Sequence, residues 1–284
     1  MSENKIYLCA ISNIESGTCN EDCKFCTQSV KYKADIQRYR RKEVEDIVKE
    51  AIIARKNRAI GFCLVTAGTG LDDKRLDYVC RAASAIKKEL GDELSLIACN
   101  GIATLEQLKE LKKHGIENYN HNLETAQEFY NEICTTHPWE DRYQTCLNAK
   151  EAGLQLCTGG IFGLGETQEN RISMLKSIAS LEPMSVPINF FHPNEALPIV
   201  KNSISREEAF ELIKLSREYL PNQMIMIAGG RELMFKEQEY DVFKYGANAL
   251  VVGDYLTTAG KTAQEDIDAI EALGYTIALD CKSR

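Results

Sequence analysis

Short apolar runs alternate with segments of helical periodicity along the whole chain. Apolar residues recur at three- and four-residue intervals in residues 44–52, and again at Leu105, Leu108 and Leu111, and this spacing predicts amphipathic helices. Glycines follow several of the helical segments, as is typical of helix ends. The β-rich runs between them predict eight strands, at residues 6–12, 61–67, 95–100, 118–123, 154–161, 186–191, 224–228 and 249–255.

Eight strand–helix units in series predict an α/β protein built as a closed (β/α)8 barrel of the TIM type. No Pro/Gly-rich linker or low-complexity segment interrupts the series. We therefore expect residues 1–284 to form a single domain with a short C-terminal tail from about residue 275. The alternative is an open, doubly wound sheet, which typically carries a glycine-rich turn after its first strand. Cysteines occupy that position here, and active sites of barrels lie on the loops after the strands.

The composition narrows the class of protein. The chain has 284 residues, of which 44% are hydrophobic, and a formal net charge of −8. The basic run at residues 38–42 is too short to follow a phosphate backbone, so no nucleic acid partner is expected. No segment approaches the roughly 20 apolar residues of a membrane span, and the polar start of the chain does not resemble a signal peptide. We therefore expect a cytoplasmic protein, whose eleven cysteines stay reduced and serve metal or redox chemistry.

Three cysteines stand close together after the first predicted strand. Cys19, Cys23 and Cys26 have the spacing C-x3-C-x2-C and supply three thiolates from one short loop. A four-iron cluster takes four ligands, so three cysteines would leave one iron open to a substrate or cofactor. The alternative is a structural zinc site of three cysteines and a histidine. The first histidine in the chain is His114, far from the loop in sequence, which favours the iron–sulfur interpretation.

Several further motifs accompany the cysteine loop. They are TCNEDCKFCTQ at residues 18–28, YNHNLET at 119–125, CTGGIFGLGET at 157–167, VPIN at 186–189, GGRE at 229–232 and LTT at 256–258. With these motifs, which extend over almost the whole chain, the sequence resembles the biotin synthase family of the radical S-adenosylmethionine (SAM) superfamily. The cysteine loop alone would indicate only the superfamily.

The resemblance implies an enzyme, a radical SAM sulfurtransferase that converts dethiobiotin to biotin with sulfur from an auxiliary iron–sulfur cluster. It implies a catalytic [4Fe–4S] cluster on Cys19, Cys23 and Cys26, and no side chain as general acid or base. It also implies a reductant of the flavodoxin or ferredoxin type and a homodimer. The residues implied for binding SAM are Phe25, Thr66, Ala67, Asn122, Glu124, Arg142, Gly159, Ile161 and Gly163. The residues implied for binding dethiobiotin are Asn120, Asn122, Asn189, Thr257 and Thr258.

Two of these segments also carry a physical argument. Asn120, Asn122 and Glu124 are spaced by two on the fourth predicted strand, so they would share one face. Polar groups facing a barrel interior are costly unless something bonds to them, and amides offer both donors and acceptors. The glycines of residues 159–165 would let a ligand approach the backbone. The alternative for this run is a tight strand-to-helix turn with Glu166 in the first turn of the helix.

Three more cysteines lie on separate predicted strands. A lone strand cysteine is usually a small buried apolar side chain, but the resemblance implies that Cys63, Cys99 and Cys157 hold the auxiliary cluster, a [2Fe–2S] or other cluster. Many family members supply an arginine as the fourth ligand, where this chain has Met226. Our hypothesis is that Cys9, on the first strand, replaces that arginine; four thiolates would suit a two-iron or a four-iron core. The cysteines left without a role are Cys80, Cys134, Cys146 and Cys281.

Two other functions remain open from the residues alone. A radical rearrangement or methyl-transfer enzyme could use the same barrel, and it would not need the strand cysteines. A non-catalytic iron–sulfur or zinc protein could use the cysteine loop, but it would leave the inward-facing amides unexplained.

Overall fold

The computed structural model describes residues 4–280, in which strands and helices alternate. The strands are β1 (Lys5–Asn13), β2 (Gly61–Val65), β3 (Ser95–Cys99), β4 (Asn118–Asn120), β5 (Gln155–Cys157), β6 (Gly160–Phe162), β7 (Ser185–Phe190), β8 (Met224–Ile227), β9 (Ala249–Val251) and β10 (Thr276–Ile277). The helices are α1 (Val44–Lys56), α2 (Asp73–Leu90), α3 (Leu105–Lys113), α4 (Tyr130–Ile133), α5 (Trp139–Glu151), α6 (Gln168–Ser180), α7 (Arg206–Tyr219), α8 (Arg231–Phe235) and α9 (Ala263–Ala272). Single 3-10 turns occupy Gln127–Phe129, Lys236–Gln238 and Asp241–Tyr245.

The strands close into a parallel barrel. They pair in the order β1, β2, β3, β4, β5, β7, β8 and β9, and β9 then pairs with β1, with Cys9 opposite Val251. β6 follows β5 after a two-residue break and pairs with β7, so β5 and β6 together fill the fifth position of the barrel. The predicted (β/α)8 barrel is confirmed, and the open sheet is wrong because β1 and β9 leave no edge between them.

Several predicted strands are shorter than expected, and the eighth, predicted over 249–255, is observed only at Ala249–Val251. The fifth, predicted over 154–161, is interrupted at Thr158 and Gly159, where a Cβ on Gly159 would overlap the carbonyl oxygen of Pro187 on β7. The fourth, predicted over 118–123, ends at Asn120, and Glu124 adopts a left-handed φ of 67°. The backbone therefore leaves the ladder before Glu124, and simple alternation along a strand does not apply to Asn122 and Glu124.

The helices begin at hydrogen-bonded caps. Capping boxes, in which the cap side chain and the third helical residue bond each other's backbone, precede α3, α6, α7 and α9 at Thr104, Thr167, Ser205 and Thr262. Because Thr167 is the cap of α6, Glu166 lies before that helix and not in its first turn, where the tight-turn alternative placed it. The carboxylate of Glu166 instead accepts the N–H groups of Gly163 and Leu164 and pairs with Arg171.

The C-terminal segment closes the floor of the barrel. β10 pairs with the first residues of β1, with Lys5 opposite Thr276 and Ile6 opposite Ile277. Ala278 is buried in the same apolar cluster as Tyr7. The expected tail from about residue 275 therefore carries a short strand, and Cys281 lies outside the described residues.

The apolar core has two parts. The larger part fills the layer between the strands and the helices. The smaller part, which we call the interior cluster, lies inside the barrel and consists of Tyr7, Cys9, Ile60, Cys63, Val65, Ile97, Met224, Met226, Ala228, Ala249, Val251 and Ala278, with Ile11, Cys99 and Tyr255 packed against it. Among the described residues, no helix combines the length and the hydropathy that a membrane crossing needs.

Candidate active site

The loop after β1 gathers three thiols in one turn, and we call Cys19, Cys23 and Cys26 the loop cysteines. The Cys26 N–H donates to the Cys23 carbonyl at 3.0 Å, and the Cys19 carbonyl accepts the N–H of Val30 at 2.8 Å. Cys19 and Cys23 are buried and Cys26 is half-buried. The turn therefore presents its three sulfurs from a backbone that is already hydrogen-bonded to itself.

Residues 133–136, which follow α4, hold the cysteine loop in place through hydrogen bonds. Asp22 accepts the N–H groups of Thr135 at 2.9 Å and Thr136 at 3.2 Å, and the Lys24 N–H donates to the carbonyl of Ile133 at 2.8 Å. Although burial opposes ionisation, the hydrogen bonds from Thr135 and Thr136 lower the pKa of the Asp22 carboxyl. The segment after α4 and the cysteine loop therefore form one hydrogen-bonded unit.

The loop thiols hold their protons in the metal-free chain. Burial raises the pKa of Cys19, and it raises the pKa of Cys26 to about 12. For Cys23, the hydrogen bond with Cys134 raises the pKa first, and burial adds to it. Thiolates at these positions need a bound cation to compensate their charge. Three such thiols on one turn fit an iron–sulfur cluster with one iron left open.

Two polar acceptors without partners among the described residues lie at the end of β4 and just after it. Asn120 donates from Nδ2 to Cys99 Sγ at 3.3 Å, while its Oδ1 is buried and has no hydrogen-bond partner among the described residues. Glu124 Oε2 is also buried and has no hydrogen-bond partner among the described residues. Burial raises the pKa of Glu124, and its charge in turn acts on Cys26. Buried acceptors without donors are costly, so both atoms point to a ligand that brings N–H or O–H groups.

Arg142, on α5, is held by three groups. Its Nε donates to the hydroxyl of Tyr130 at 2.6 Å, and its Nη1 donates to the Asn122 carbonyl at 3.0 Å. The same Nη1 lies 3.5 Å from Glu124 Oε1. The structure thus brings Asn122, Glu124 and Arg142 together, as expected, although they come from a loop and a helix and not from one strand face.

The glycines at residues 159–163 are explained by protein contacts. Besides the overlap of Gly159 with Pro187, a Cβ on Gly163 would overlap the side chain of Asn202, and Gly163 has a φ of 96°. The Ile161 N–H donates to the Glu124 carbonyl at 2.8 Å, which joins this run to the acidic loop. Packing against Pro187 and Asn202 thus accounts for Gly159 and Gly163, and their contact with adenine stays a prediction.

The other residues predicted to contact SAM or dethiobiotin lie at the same end of the barrel. Thr66 is buried and its hydroxyl accepts from Asn100, while Ala67 is buried beside it and Phe25 packs half-buried against the core. Asn189 is already engaged, because it donates to the Gly160 carbonyl at 3.2 Å and accepts the Gly229 N–H at 2.9 Å. It has less capacity left for a substrate than Asn120.

The predicted carboxylate-binding threonines lie on the loop after β9. The hydroxyl of Thr257 is 2.9 Å from that of Thr27, which follows the last loop cysteine. The carbonyl of Thr258 accepts the N–H of Tyr255, and its side chain is exposed. Both threonines therefore lie at the mouth of the barrel, next to the cysteine loop.

The strand cysteines, by which we mean Cys9, Cys63, Cys99 and Cys157, come together inside the barrel. A hydrogen bond with Cys99 raises the pKa of Cys63, and the charges of Cys157 and Cys9 raise it further. A Cβ on Gly61 would lie 2.9 Å from Cys9 Sγ, so the missing side chain makes room for that thiol. Met226 belongs to the same interior cluster. None of the ten described cysteines forms a disulfide.

Two residues near the loop were missed by sequence reasoning. Cys134, to which we assigned no role, lies with its Sγ 3.6 Å from Cys23 Sγ and 3.4 Å from His137 Nδ1. The signal that could have found them is the Cys-x2-His spacing at 134–137, directly after α4. The approach of residues 134–137 to the cysteine loop is a tertiary contact, and no local sequence pattern predicts it.

Known proteins resemble the chain over its full length. A family model described as the radical SAM superfamily matches residues 14–178, and one described as the biotin and thiamin synthesis associated domain matches residues 187–276. The biotin synthase of Aliarcobacter butzleri is 82% identical over 281 residues, 99% of each chain, and that of Nitratiruptor sp. is 63% identical over 98% of this chain and 99% of its own.

Solved structures agree on the fold. Methylornithine synthase (PylB) superposes with a TM-score of 0.83 at 19% identity and covers 97% of this chain and 84% of its own. The hydrogenase maturase HydG of Carboxydothermus hydrogenoformans superposes with a TM-score of 0.83 at 21% identity. The match covers 98% of this chain and 68% of HydG. At these identities the likeness extends to the fold and not to the reaction.

Proposed function

We propose, since the chain belongs to the biotin synthase family of radical SAM enzymes, that it inserts sulfur into dethiobiotin to form biotin. The observation that carries this proposal is the position of the three loop cysteines. They lie at the mouth of a closed barrel, beside Glu124, whose Oε2 has no partner among the described residues.

The loop cysteines would hold a [4Fe–4S] cluster and leave one iron for SAM. Bound there, the cluster and SAM would supply a carbon radical able to abstract hydrogen from unactivated C–H bonds, chemistry that no side chain provides. The part of the protein is to bind, orient and shield. The closed barrel and the buried loop keep water from the reacting groups.

The chain's polar residues would divide between the two ligands. Glu124, with a free carboxylate oxygen, suits the hydroxyls of the SAM ribose, and Arg142, fixed by Tyr130, suits its carboxylate. Asn120 Oδ1 suits an N–H of the cyclic urea of dethiobiotin. The hydroxyls of Thr257 and Thr258 would receive the carboxylate of the substrate at the barrel mouth. No general acid or base is needed.

The strand cysteines would hold the auxiliary cluster that gives up the sulfur atom. Cys63, Cys99 and Cys157 are the ligands that the family implies, and we add Cys9 as the fourth. Support comes from the interior cluster, in which Cys9 and Cys63 are buried together with Met226. A thiolate binds iron more strongly than the thioether of Met226, so Cys9 is the better ligand of the two.

Anaerobic reconstitution tests the reaction. The chain is loaded with iron and sulfide, then given SAM, dethiobiotin and a reductant of the flavodoxin or ferredoxin type. We expect 5′-deoxyadenosine and biotin, and we expect both to disappear in Cys23→Ala. Cys80→Ala, on α2 and away from the site, is the matched control and should form both products.

Two other outcomes would contradict the proposal. Formation of 5′-deoxyadenosine without biotin would indicate another radical SAM reaction, and absence of both products would indicate a non-catalytic metal protein. Sedimentation of the reconstituted chain would test the homodimer that the family implies.

A further inference from the structure

Three potential metal ligands meet behind the cysteine loop. The sulfur of Cys23, the sulfur of Cys134 and a ring nitrogen of His137 all lie within 4.8 Å of one another, and all three residues are buried. Cys134 Sγ is 3.6 Å from Cys23 Sγ and 3.4 Å from His137 Nδ1. Two of these residues have no part in the proposed reaction.

The distances match the ligands of a single metal ion. With bonds of about 2.3 Å to sulfur and about 2.0 Å to nitrogen, tetrahedral zinc holds two sulfurs about 3.8 Å apart and a sulfur and a nitrogen about 3.5 Å apart. The distances from Cys134 Sγ to Cys23 Sγ, 3.6 Å, and to His137 Nδ1, 3.4 Å, lie close to these values. Cysteine sulfurs on two different irons of a four-iron cluster lie much farther apart, so Cys134 does not fit as a fourth ligand of that cluster while Cys23 is bound to it.

The imidazole of His137 is oriented as metal ligands usually are. Its Nε2 lies 2.7 Å from the hydroxyl of Tyr130, and that hydroxyl is itself fixed by Arg142. Such an outer partner holds a metal-binding ring in one tautomer and leaves the other nitrogen for the metal. On that other side, Nδ1 and Glu21 Oε2 are 2.7 Å apart and hydrogen-bonded, so a metal ion on Nδ1 would replace the proton of this bond and lie next to a carboxylate whose charge favours a cation.

The scaffold around these ligands is already in place. The hydrogen bonds of Asp22 to Thr135 and Thr136, together with that of the Lys24 N–H to the Ile133 carbonyl, hold the residues on both sides of Cys134 against the cysteine loop. They involve none of the three ligands, so the site does not depend on the metal for its shape. A site arranged in advance costs little ordering when the ion binds.

We propose that the cluster-free chain binds one divalent transition-metal ion, Zn²⁺ or Fe²⁺, through Cys23, Cys134 and His137. Thiolate and imidazole ligands suit both ions, and Zn²⁺ stands above Fe²⁺ in the usual order of affinity. Cys23 cannot serve this ion and the catalytic cluster together. The mononuclear site therefore competes with cluster assembly, and this consequence alone rests on the proposed function.

Titration of the reduced, metal-free full chain with Co²⁺ tests the site, with Zn²⁺ as competitor. Because the strand cysteines can also take up a metal, the readout is the number of ions bound per chain together with the thiolate-to-cobalt absorption. We expect Cys134→Ser and His137→Gln each to lose one tightly bound ion relative to the wild type. Cys19→Ser is the matched control and should keep it. Circular dichroism of each variant shows that it is folded.

The same titration can also contradict the proposed metal site. If Cys134→Ser binds as many ions as the wild type, or if Cys19→Ser loses the ion, then the metal sits on the loop cysteines and not on Cys134 and His137. This titration contains neither SAM nor dethiobiotin, so a failure of biotin formation would leave it untouched.

The competition has its own measurement. One equivalent of Zn²⁺, added before iron and sulfide, should slow cluster assembly in the wild type relative to its own zinc-free rate, as followed by the iron–sulfur absorption. In Cys134→Ser the slowing by zinc should be smaller than in the wild type, because only the strand cysteines can then hold the ion. Equal rates in the wild type would overturn the competition.

Discussion

The loop cysteines and the strand cysteines present thiols in two different ways. The loop cysteines lie within eight residues of one turn, and their positions depend on hydrogen bonds to a neighbouring segment. The strand cysteines come from four strands, and the register of a closed ladder sets their positions, with Cys9 opposite Gly61 and Asn120 opposite Cys157. A turn can open to admit a metal ion, whereas a barrel ladder cannot. The difference suits the two clusters proposed above, of which one would meet a cofactor and the other would lie deeper in the barrel.

Removing a loop cysteine should have the largest effect. Cys26→Ser takes away one of three ligands from a site without a spare, so SAM cleavage should be lost entirely. The measurement is 5′-deoxyadenosine per chain, together with bound iron. Iron held by the strand cysteines should remain, and its complete loss along with the loop iron would show that the two sets do not load independently.

Removing a strand cysteine should separate the two reactions. Cys63→Ser should stop biotin formation while 5′-deoxyadenosine still forms, because only the sulfur donor is affected. Product analysis by mass spectrometry of the same sample gives both quantities. Normal biotin yield from a folded Cys63→Ser protein would rule out a role for the strand cysteines in sulfur donation.

A smaller effect should distinguish Cys9 from Met226. We expect Cys9→Ser to change the absorption and Mössbauer spectrum of the auxiliary cluster and to lower its iron content, whereas Met226→Leu, of similar volume, should leave both unchanged. Retention of the full cluster and spectrum in Cys9→Ser would remove Cys9 from the ligand set.

The smallest effect concerns how the loop is anchored to the barrel. Tyr78 on α2 donates from its hydroxyl to the carbonyls of Lys42, at 2.7 Å, and Ile14, at 3.3 Å, which lie at the two ends of the loop. Burial raises the pKa of Tyr78 to about 12 from an ordinary value of 10.

The sign of the pH effect on stability follows from that shift. Below pH 10 the phenol is protonated in both states, and its contribution to the free energy of unfolding is fully present. As the pH rises from 10 to 12 the unfolded chain ionises first, so about 2–3 kcal/mol should be lost. The difference between the wild type and Tyr78→Phe in denaturant titrations isolates this contribution, and parallel pH curves for the two would contradict it.

The fold could be predicted from the sequence because its signals are local. Apolar periodicity, glycines after helices and the spacing of the loop cysteines each lie within a short window, and they are enough for a closed barrel with a metal loop on its active face. The break at Gly159 could not be predicted in this way. It arises because the backbone there lies against Pro187 on the neighbouring barrel strand.

The site was predictable only in part, for the same reason. Asn120 and Glu124 were expected to face inward, and their unpartnered oxygens are consistent with that, but Glu124 reaches its position through a left-handed turn and not along a strand. Cys134 lies 111 residues from Cys23 in sequence, and only the packing of the segment after α4 against the loop brings their sulfurs together.

The pairing of β10 with β1 has a consequence for how the chain matures. β1 precedes every other strand along the described chain, yet it is flanked at its start by residues 276–277, which follow all of them. β1 therefore gains this neighbour only after all the other strands have been synthesised. Shortening the chain by a dozen residues should leave β1 with its beginning bare, a ready place for a second copy to attach.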